Sequence, residues 1–228
     1  PSATLGAGVA LGDVVAEVEK LISEYHIPDG VDLEVGGTVE DQGDAFGDLG
    51  VLFILIVILV YIVMATQFES LLFPFIIMFT IPFAFTGVFL ALWMTSTPLS
   101  LIALIGAIML VGIVTKNGIV MVDYMNLLVE RGSGVFDAVI AGGKSRLRPV
   151  LMTSFTTILG MLPLAIGTGA GSETWQPMGI AVIGGLTCST LLTLFIIPAL
   201  YSVFVNRSQR KEKEKLARLS AEHQASVH

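Results

Sequence analysis

The sequence predicts a mainly α-helical, polytopic membrane protein with five transmembrane helices, preceded by a small α/β segment. The mean hydropathy is +0.84, and 54% of the 228 residues are hydrophobic. Only 14% are charged, whereas a soluble domain carries roughly 25%. The apolar residues also gather into long runs of about 20 residues, the length that a helix needs to cross the hydrocarbon of a bilayer.

Residues 1–48 have a soluble character, with eleven acidic side chains against one basic one. The stretch "LGDVVAEVEKLISEYHIP" has apolar residues at helical spacing, and "GVDLEVGG" then alternates as a half-buried strand does. A further helix is expected to begin near Thr38 and to lead into the membrane. So short a helix–strand–helix segment buries little core alone, so we expect it to be the end of a larger α/β domain.

The membrane part is predicted to occupy residues 49–205, and residues 206–228 form a charged tail. Each of the five hydrophobic runs is near the ~20 residues that a transmembrane helix requires. The expected spans are about 49–67, 73–94, 99–127, 147–168 and 175–205.

The basic residues predict an orientation. The linker between spans three and four and the tail after span five are rich in Lys and Arg, whereas "TSTP" and "GTGAGSET" contain neither. Basic segments stay in the cytoplasm, so the C-terminus is expected there and residues 1–48 on the opposite side. Trp93 and Trp175 fall at that opposite boundary, where interfacial aromatic residues are common.

Lys116 stands near the middle of span three, in "MLVGIVTKNGIVMVDYMN". A charge at bilayer depth costs on the order of 2.5–3.5 kcal/mol on insertion scales, so such a residue is a functional candidate that needs a partner. Asp123 is the sole acid of that span, but seven residues correspond to roughly 10 Å along the axis. The sequence therefore predicts that the counter-charge of Lys116 lies outside this chain.

Three other polar residues of these spans can each be interpreted in two ways. Asn117 either helps helices to pack or belongs to an ion path. Arg146 in "RLRP" is either a cytoplasmic anchor or a functional cation, and Thr153 in "MTS" either bonds to its own helix or serves the site. We find no nucleotide-binding loop, nucleophile triad, metal-ligand spacing or basic nucleic-acid patch in the sequence, so neither an enzyme nor nucleic-acid binding is predicted.

Four stretches, taken in order, resemble the C-terminal part of a resistance–nodulation–division (RND) efflux transporter of the hydrophobe/amphiphile (multidrug) branch. They are "QFESLLFPFIIMFTIPFAFTGVFLAL", "GIVTKNGIVMVDYMN", "RLRPVLMTSFTTILGMLPLAIGTGAGSE" and "GIAVIGGLTCSTLLTLFIIPALYSVF". The resemblance implies that residues 1–48 end a periplasmic porter domain and that the five spans are helices eight to twelve of twelve.

Asn117 and Asp123, with Thr115 and Asn126, form a polar stripe along one side of span three. The resemblance also implies a proton relay of Lys116, Arg146 and Thr153, which this stripe would support. Its aspartate pair would come from an N-terminal half that is absent here. Further implications are proton/substrate antiport driven by the proton-motive force without a cofactor, small amphiphilic substrates, a homotrimer, a periplasmic adaptor and an outer-membrane channel. The expected location is the bacterial inner membrane, with residues 1–48 periplasmic.

Two alternatives remain open. The first is a heavy-metal RND efflux pump, for which we would expect paired methionines at matched depth, a pattern that the nine methionines do not show. The second is a protein-export accessory or sterol-sensing-type protein with the same helix architecture, which would lack the "TKN" and "RLRP…MTS" pairing.

Overall fold

The computed structural model describes residues 38–167 and 172–226, together with residues 17, 20 and 21. Within these ranges the regular structure is helical and contains no strand. The helices are α1 (Thr38–Phe68), α2 (Leu72–Met78), α3 (Ile81–Met94), α4 (Leu101–Glu130), α5 (Val135–Ile166) and α6 (Ser172–Ser226). Glu17, Lys20 and Leu21 are helical as well, whereas the predicted strand near residues 31–35 lies outside the described residues.

Five helical segments are long and apolar enough to cross a membrane, which confirms the predicted number of spans. They are Gly43–Phe68, Leu72–Met94, Leu101–Glu130, Val135–Ile166 and Thr174–Arg207. The second segment consists of α2 and α3, which are separated by Phe79 and Thr80. Pro82 has no N–H to donate back to the preceding turn, and this accounts for the interruption at that point.

Helix α5 begins at Val135, well before residue 147, where the fourth span was expected to start. The intervening residues are helical because their apolar side chains repeat at helical spacing. Val135, Ala138 and Gly142 are buried, and a Cβ at Gly142 would lie 2.7 Å from the Cγ of Met125 on α4. Their basic residues suggested a linker, but this segment packs as a continuation of the membrane helix.

Helix α6 packs against α3, α4 and α5, and its contact with α3 is very close. The two helices meet at Gly87 and Gly184, where a Cβ on Gly87 would lie 2.6 Å from the carbonyl oxygen of Gly184. Small residues allow such an approach of two backbones in a membrane, where dispersion contacts replace the hydrophobic effect as the main attraction.

The two ends of residues 55–226 differ in chemistry. The tryptophan end comprises the end of α3 and the start of α6, with Trp93 and Trp175 exposed. Met94 and Gln176 line one cleft of about 400 Å³ there, and the Nε2 of Gln176 donates to the carbonyl of Ala165 on α5 (3.1 Å). The opposite, basic end comprises the α4–α5 turn and the part of α6 that follows Tyr201.

Candidate functional site

Helix α4 presents Lys116 on the side that its own packing leaves open. The helix begins directly after its N-cap residue Ser100, whose Oγ accepts a hydrogen bond from the backbone N–H of Ala103 (3.2 Å). Val114, Thr115 and Gly118 are buried, whereas Lys116 is exposed. Successive side chains of a helix point about 100° apart, so the lysine faces away from the buried side of the helix.

Helix α5 contributes hydroxyl groups to the same side. Thr153 donates to the carbonyl of Val150 (3.0 Å), and Thr157 donates to the carbonyl of Thr153 (2.9 Å). Ser154 instead forms a hydrogen bond of 2.9 Å with Thr190 of α6. The hydroxyl oxygens retain lone pairs after donating, so they remain able to accept hydrogen bonds from the space between α4 and α5.

That space is a cavity of about 340 Å³, which we call the lysine cavity. The structure thus brings together Lys116, Asn117 and Thr153, three residues that the sequence singled out. The complete lining is Met109, Gly112, Ile113, Lys116, Asn117, Thr153, Ser154 and Thr157.

Lys116 also borders a second cleft of about 360 Å³ between α4 and α1. Leu59, Val63 and Met64 make the α1 side of this cleft apolar, and on the α4 side the hydroxyl of Thr115 already donates to the carbonyl of Val111. The lysine stands between a polar space and an apolar one, and its charge is better accommodated in the lysine cavity.

The described residues supply no counter-charge to Lys116. Neither space has an acidic side chain in its lining, and within residues 43–167 and 174–207 the ammonium makes no ion pair or hydrogen bond. Asp123 is exposed and does not line the cavity. The prediction that the partner of Lys116 is not Asp123 agrees with this geometry.

Arg146 lies outside the lysine cavity, on the turns of α5 that precede Thr153. Its guanidinium carbon is 4.6 Å from the centroid of the Tyr124 ring, a cation–π contact that contributes about 0.5–2 kcal/mol. Its Nε is buried and has no hydrogen-bond partner among the described residues. In this arrangement Arg146 joins α5 to α4 and does not extend the cavity lining.

The polar stripe that the sequence indicated along α4 divides into separate roles. The hydroxyl of Thr115 is buried and donates to the carbonyl of Val111 (2.8 Å). Asn126 accepts a hydrogen bond of 2.6 Å from the hydroxyl of the buried Tyr201, which joins α4 to α6. Only Lys116 and Asn117 of this stripe face the cavity.

Thr190 contributes to the site, although the sequence did not identify it as a candidate residue. It is 5% exposed and is the α6 partner of Ser154. The available signal was the run "CSTLLT", in which Ser189, Thr190 and Thr193 interrupt an apolar helix at helical spacing. All three are buried.

No group of three or more His, Cys, Asp or Glu side chains that could hold a metal ion occurs among the described residues. The five helices are long and apolar enough to define a polytopic membrane protein, and one lysine of these helices opens into a cavity. The sequence model of the AcrB/AcrD/AcrF family matches residues 2–205. The chain belongs to this family of RND efflux transporters, whose members are transporters and not enzymes.

Several curated relatives are similar in sequence. The swarming motility protein SwrC of Bacillus subtilis is 38% identical over 87% of this chain and 19% of its own length. The multidrug resistance protein MdtC of Proteus mirabilis is 36% identical over 91% of this chain and 20% of its own length. The cobalt-zinc-cadmium resistance protein CzcA of Cupriavidus metallidurans is 38% identical over 91% and 19%.

A similar fold occurs in the crystal structure of a heavy metal efflux pump. The TM-score is 0.77 at 30% sequence identity, and the match covers 87% of this chain and 20% of that one. The chain therefore spans about a fifth of the length of its relatives.

Proposed function

We propose that this chain is the C-terminal part of the transmembrane domain of a proton-driven RND efflux pump, a secondary active proton/substrate antiporter. One observation carries the proposal: Lys116, Asn117 and Thr153 from two helices open into one cavity, and no described acid balances the lysine. A cavity with an uncompensated ammonium is suited to receive carboxylates from another segment of the same protein.

The proposed coupling follows from elementary electrostatics. Ionised carboxylates that enter the lysine cavity would pair with Lys116, because an opposite charge within about 4–6 Å favours both charged forms. Protonation of the carboxylates would remove that attraction and release the lysine. A change of partner of this kind shifts α4 against its neighbours, and helix shifts are a common means of transmitting a binding event.

Arg146 and Asp123 take supporting roles in this proposal. Arg146 supplies a second positive charge on the basic side of the site, held against Tyr124. Asp123 is exposed two turns further along α4 and is positioned for water or for a segment outside the described chain. Neither is required to touch the ammonium of Lys116.

The surroundings of the pump are proposed from the family. We place the protein in a bacterial inner membrane, with the basic end in the cytoplasm and residues 1–48 in the periplasm, as part of a porter domain. The remaining parts would be an N-terminal half with an aspartate pair, two further copies that complete a homotrimer, a periplasmic adaptor and an outer-membrane channel. The energy source is the proton-motive force, with no cofactor.

Amphiphilic drugs are the proposed substrates, and divalent metal ions are the second candidate. Similarity to MdtC favours the first class, whereas similarity to CzcA and to the heavy metal efflux pump structure favours the second. The described residues contain no metal-binding cluster that would select between them, so a substrate panel must include both classes.

Efflux by lysine variants of the full-length protein tests the proposal. Lys116→Met keeps most of the apolar stem and deletes the charge, so we expect loss of at least nine-tenths of proton-dependent efflux. Lys116→Arg retains a charge with a different donor geometry and should also lose most activity. The measurement is export of a fluorescent amphiphile, and in parallel of zinc, at matched membrane expression.

Lys144→Met is the matched control, because Lys144 is exposed on α5 and does not line the cavity. It should transport at near-normal rates. Normal export of both substrate classes by Lys116→Met would show that the charge is dispensable, and the proposed proton coupling would then be wrong.

A further inference from the structure

The hydrogen bond between Ser154 and Thr190 differs from most serine and threonine contacts of the described membrane helices. Thr115, Thr156 and Thr187 each donate to a carbonyl one turn earlier on their own helix, the usual arrangement for a hydroxyl in an apolar helix. Ser154 and Thr190 bind each other across α5 and α6 at 2.9 Å. Both are buried, at 3% and 5% exposure.

Ser154 is also part of the lining of the lysine cavity. One side of this pair therefore touches the space that receives Lys116, while the other side belongs to α6, which packs against α3, α4 and α5. We propose that Ser154 and Thr190 are positioning residues of the proton-coupling site, a reversible hydroxyl pair that offers the lysine cavity a donor or an acceptor as its charge changes. This inference rests on the proposed function.

The pair is reversible because either oxygen can be the donor. When Ser154 donates to Thr190, its lone pairs are available to a positive group in the cavity. When Thr190 donates to Ser154, the proton of Ser154 is free to point at a negative group. A hydroxyl is one donor and two acceptor sites at once, so the exchange needs only two O–H rotations and no movement of the backbone.

Thr193 gives Thr190 an additional neighbour on α6. Its hydroxyl is buried, at 2% residue exposure, and has no hydrogen-bond partner among the described residues. Side chains three residues apart on a helix lie about 5–6 Å from each other at Cβ. Thr193 therefore offers Thr190 an acceptor in the other state, in which Ser154 is the donor and the proton of Thr190 is not directed at Ser154.

Few titratable groups adjoin the pair. On α4, Lys116 is the titratable residue of the cavity lining, and Asp123 is exposed seven residues further on. On α5, Arg146 and Arg148 lie on the preceding turns. On α6, Cys188 is half-buried on the side of Gly87 of α3. The charge that the pair responds to is therefore that of Lys116 and of the carboxylates proposed to join it.

The pH dependence of efflux by the full-length protein tests this inference. Thr190→Val keeps the shape of the side chain but removes the partner of Ser154, which would then bond to its own helix and withdraw its proton from the cavity. An ionised carboxylate loses a donor and binds a proton at higher pH. We expect the midpoint of the efflux–pH curve to rise by roughly half a unit to one unit.

Three further variants separate positioning from packing. Thr190→Ser restores the hydroxyl and should restore the wild-type midpoint. Ser154→Ala should shift the midpoint as Thr190→Val does. The double variant should shift it no further, because both substitutions remove the same hydrogen bond. Thr187→Val is the matched control on α6, since Thr187 is exposed and bonds to Ile183; it should leave the curve unchanged.

An unchanged midpoint in both Thr190→Val and Ser154→Ala would overturn the inference. A fall in efflux that is equal at every pH would do the same, because it would indicate packing alone. The outcome for Lys116→Met is independent: if that variant loses efflux while the hydroxyl variants keep the wild-type midpoint, only the positioning role is wrong. If Lys116→Met exports normally, the proposed function itself fails.

Discussion

Lys116 shows how one residue is placed by the packing of its neighbours. Residues 114, 115 and 118 are buried against the rest of the protein. Because successive side chains of a helix point about 100° apart, residue 116 then faces the cavity. Lys116 therefore faces both the lysine cavity between α4 and α5 and the cleft between α4 and α1.

Two threonines of α5 provide a residue-level prediction. Thr153 lines the lysine cavity, whereas Thr156 faces away from it and donates to the carbonyl of Met152 (2.8 Å). Thr153→Ala removes an acceptor from the cavity and should lower proton-dependent efflux at least fivefold, about 1 kcal/mol or more of coupling free energy. Thr156→Ala should stay within twofold of wild type. Equal losses in the two variants, measured at matched expression, would contradict the role given to Thr153.

The sequence was informative about these residues to different degrees. Lys116 was identifiable because a charge in an apolar run is costly, and the threonine motif of α5 came from the family resemblance. The orientation of Arg146 over Tyr124 and the hydroxyl pair of Ser154 and Thr190 were not identifiable. Each depends on the rotation of one helix against another, which the spacing of residues along one chain does not specify.

At the level of elements, hydropathy predicts which segments are helices more easily than where they begin. The apolar runs specify five spans because ~20 residues must cross the bilayer. The start of α5 was missed because Lys144, Arg146 and Arg148 resemble a cytoplasmic linker, while the burial of Ala138 and Gly142 that makes the segment helical depends on contact with α4. Basic residues mark an interface and do not end a helix.

The contact of α3 with α6 provides a prediction at this scale. A methyl group at residue 87 would overlap Cys188 and would lie 2.6 Å from the carbonyl oxygen of Gly184. Gly87→Ala should therefore destabilise the protein by about 1–3 kcal/mol, the usual effect of overpacking. The measurement is thermal unfolding in detergent.

Gly160 is the matched control, because no atom lies within 4 Å of a Cβ built there. Gly160→Ala should be neutral or should stabilise α5 by up to about 1 kcal/mol through helix propensity. The decisive result is that Gly87→Ala lowers the free energy of unfolding and Gly160→Ala does not. A neutral Gly87→Ala would mean that α3 and α6 do not approach each other as closely as the structure indicates.

At the scale of the whole molecule, two of the five spans are largely uncovered, those of α1 and α5. Buried residues make up 6% and 11% of the apolar windows of these two spans, against 50% for the spans of α4 and α6. Met152, Phe155 and Leu159 are all more than half exposed. In a membrane, lipid or other protein covers such a face, and the adjoining lysine cavity favours protein on the α4 side, because an ammonium facing lipid is unfavourable.

The charge asymmetry between the two ends predicts the topology of the whole chain. Arg131 and Arg207 lie at the basic end, and the α3–α4 turn at the other end has no basic residue. Single cysteines at Ser133 and Ser96, both exposed, in a Cys188→Ala background should therefore label oppositely. A membrane-impermeant reagent added to intact spheroplasts should modify residue 96 and leave residue 133 unmodified until lysis. The reverse pattern would invert the proposed orientation.

The placement of Trp93 and Trp175 has an optical consequence. They are the two tryptophans of the chain, both indoles are exposed, at 78% and 51%, and both flank the cleft that Met94 and Gln176 line. The indole fluorescence of the chain therefore originates at one membrane surface alone. The emission maximum and the quenching by a soluble quencher therefore report on the water and headgroups at that surface. The opposite surface, where Asn126 accepts the hydrogen bond of Tyr201, contributes no indole signal.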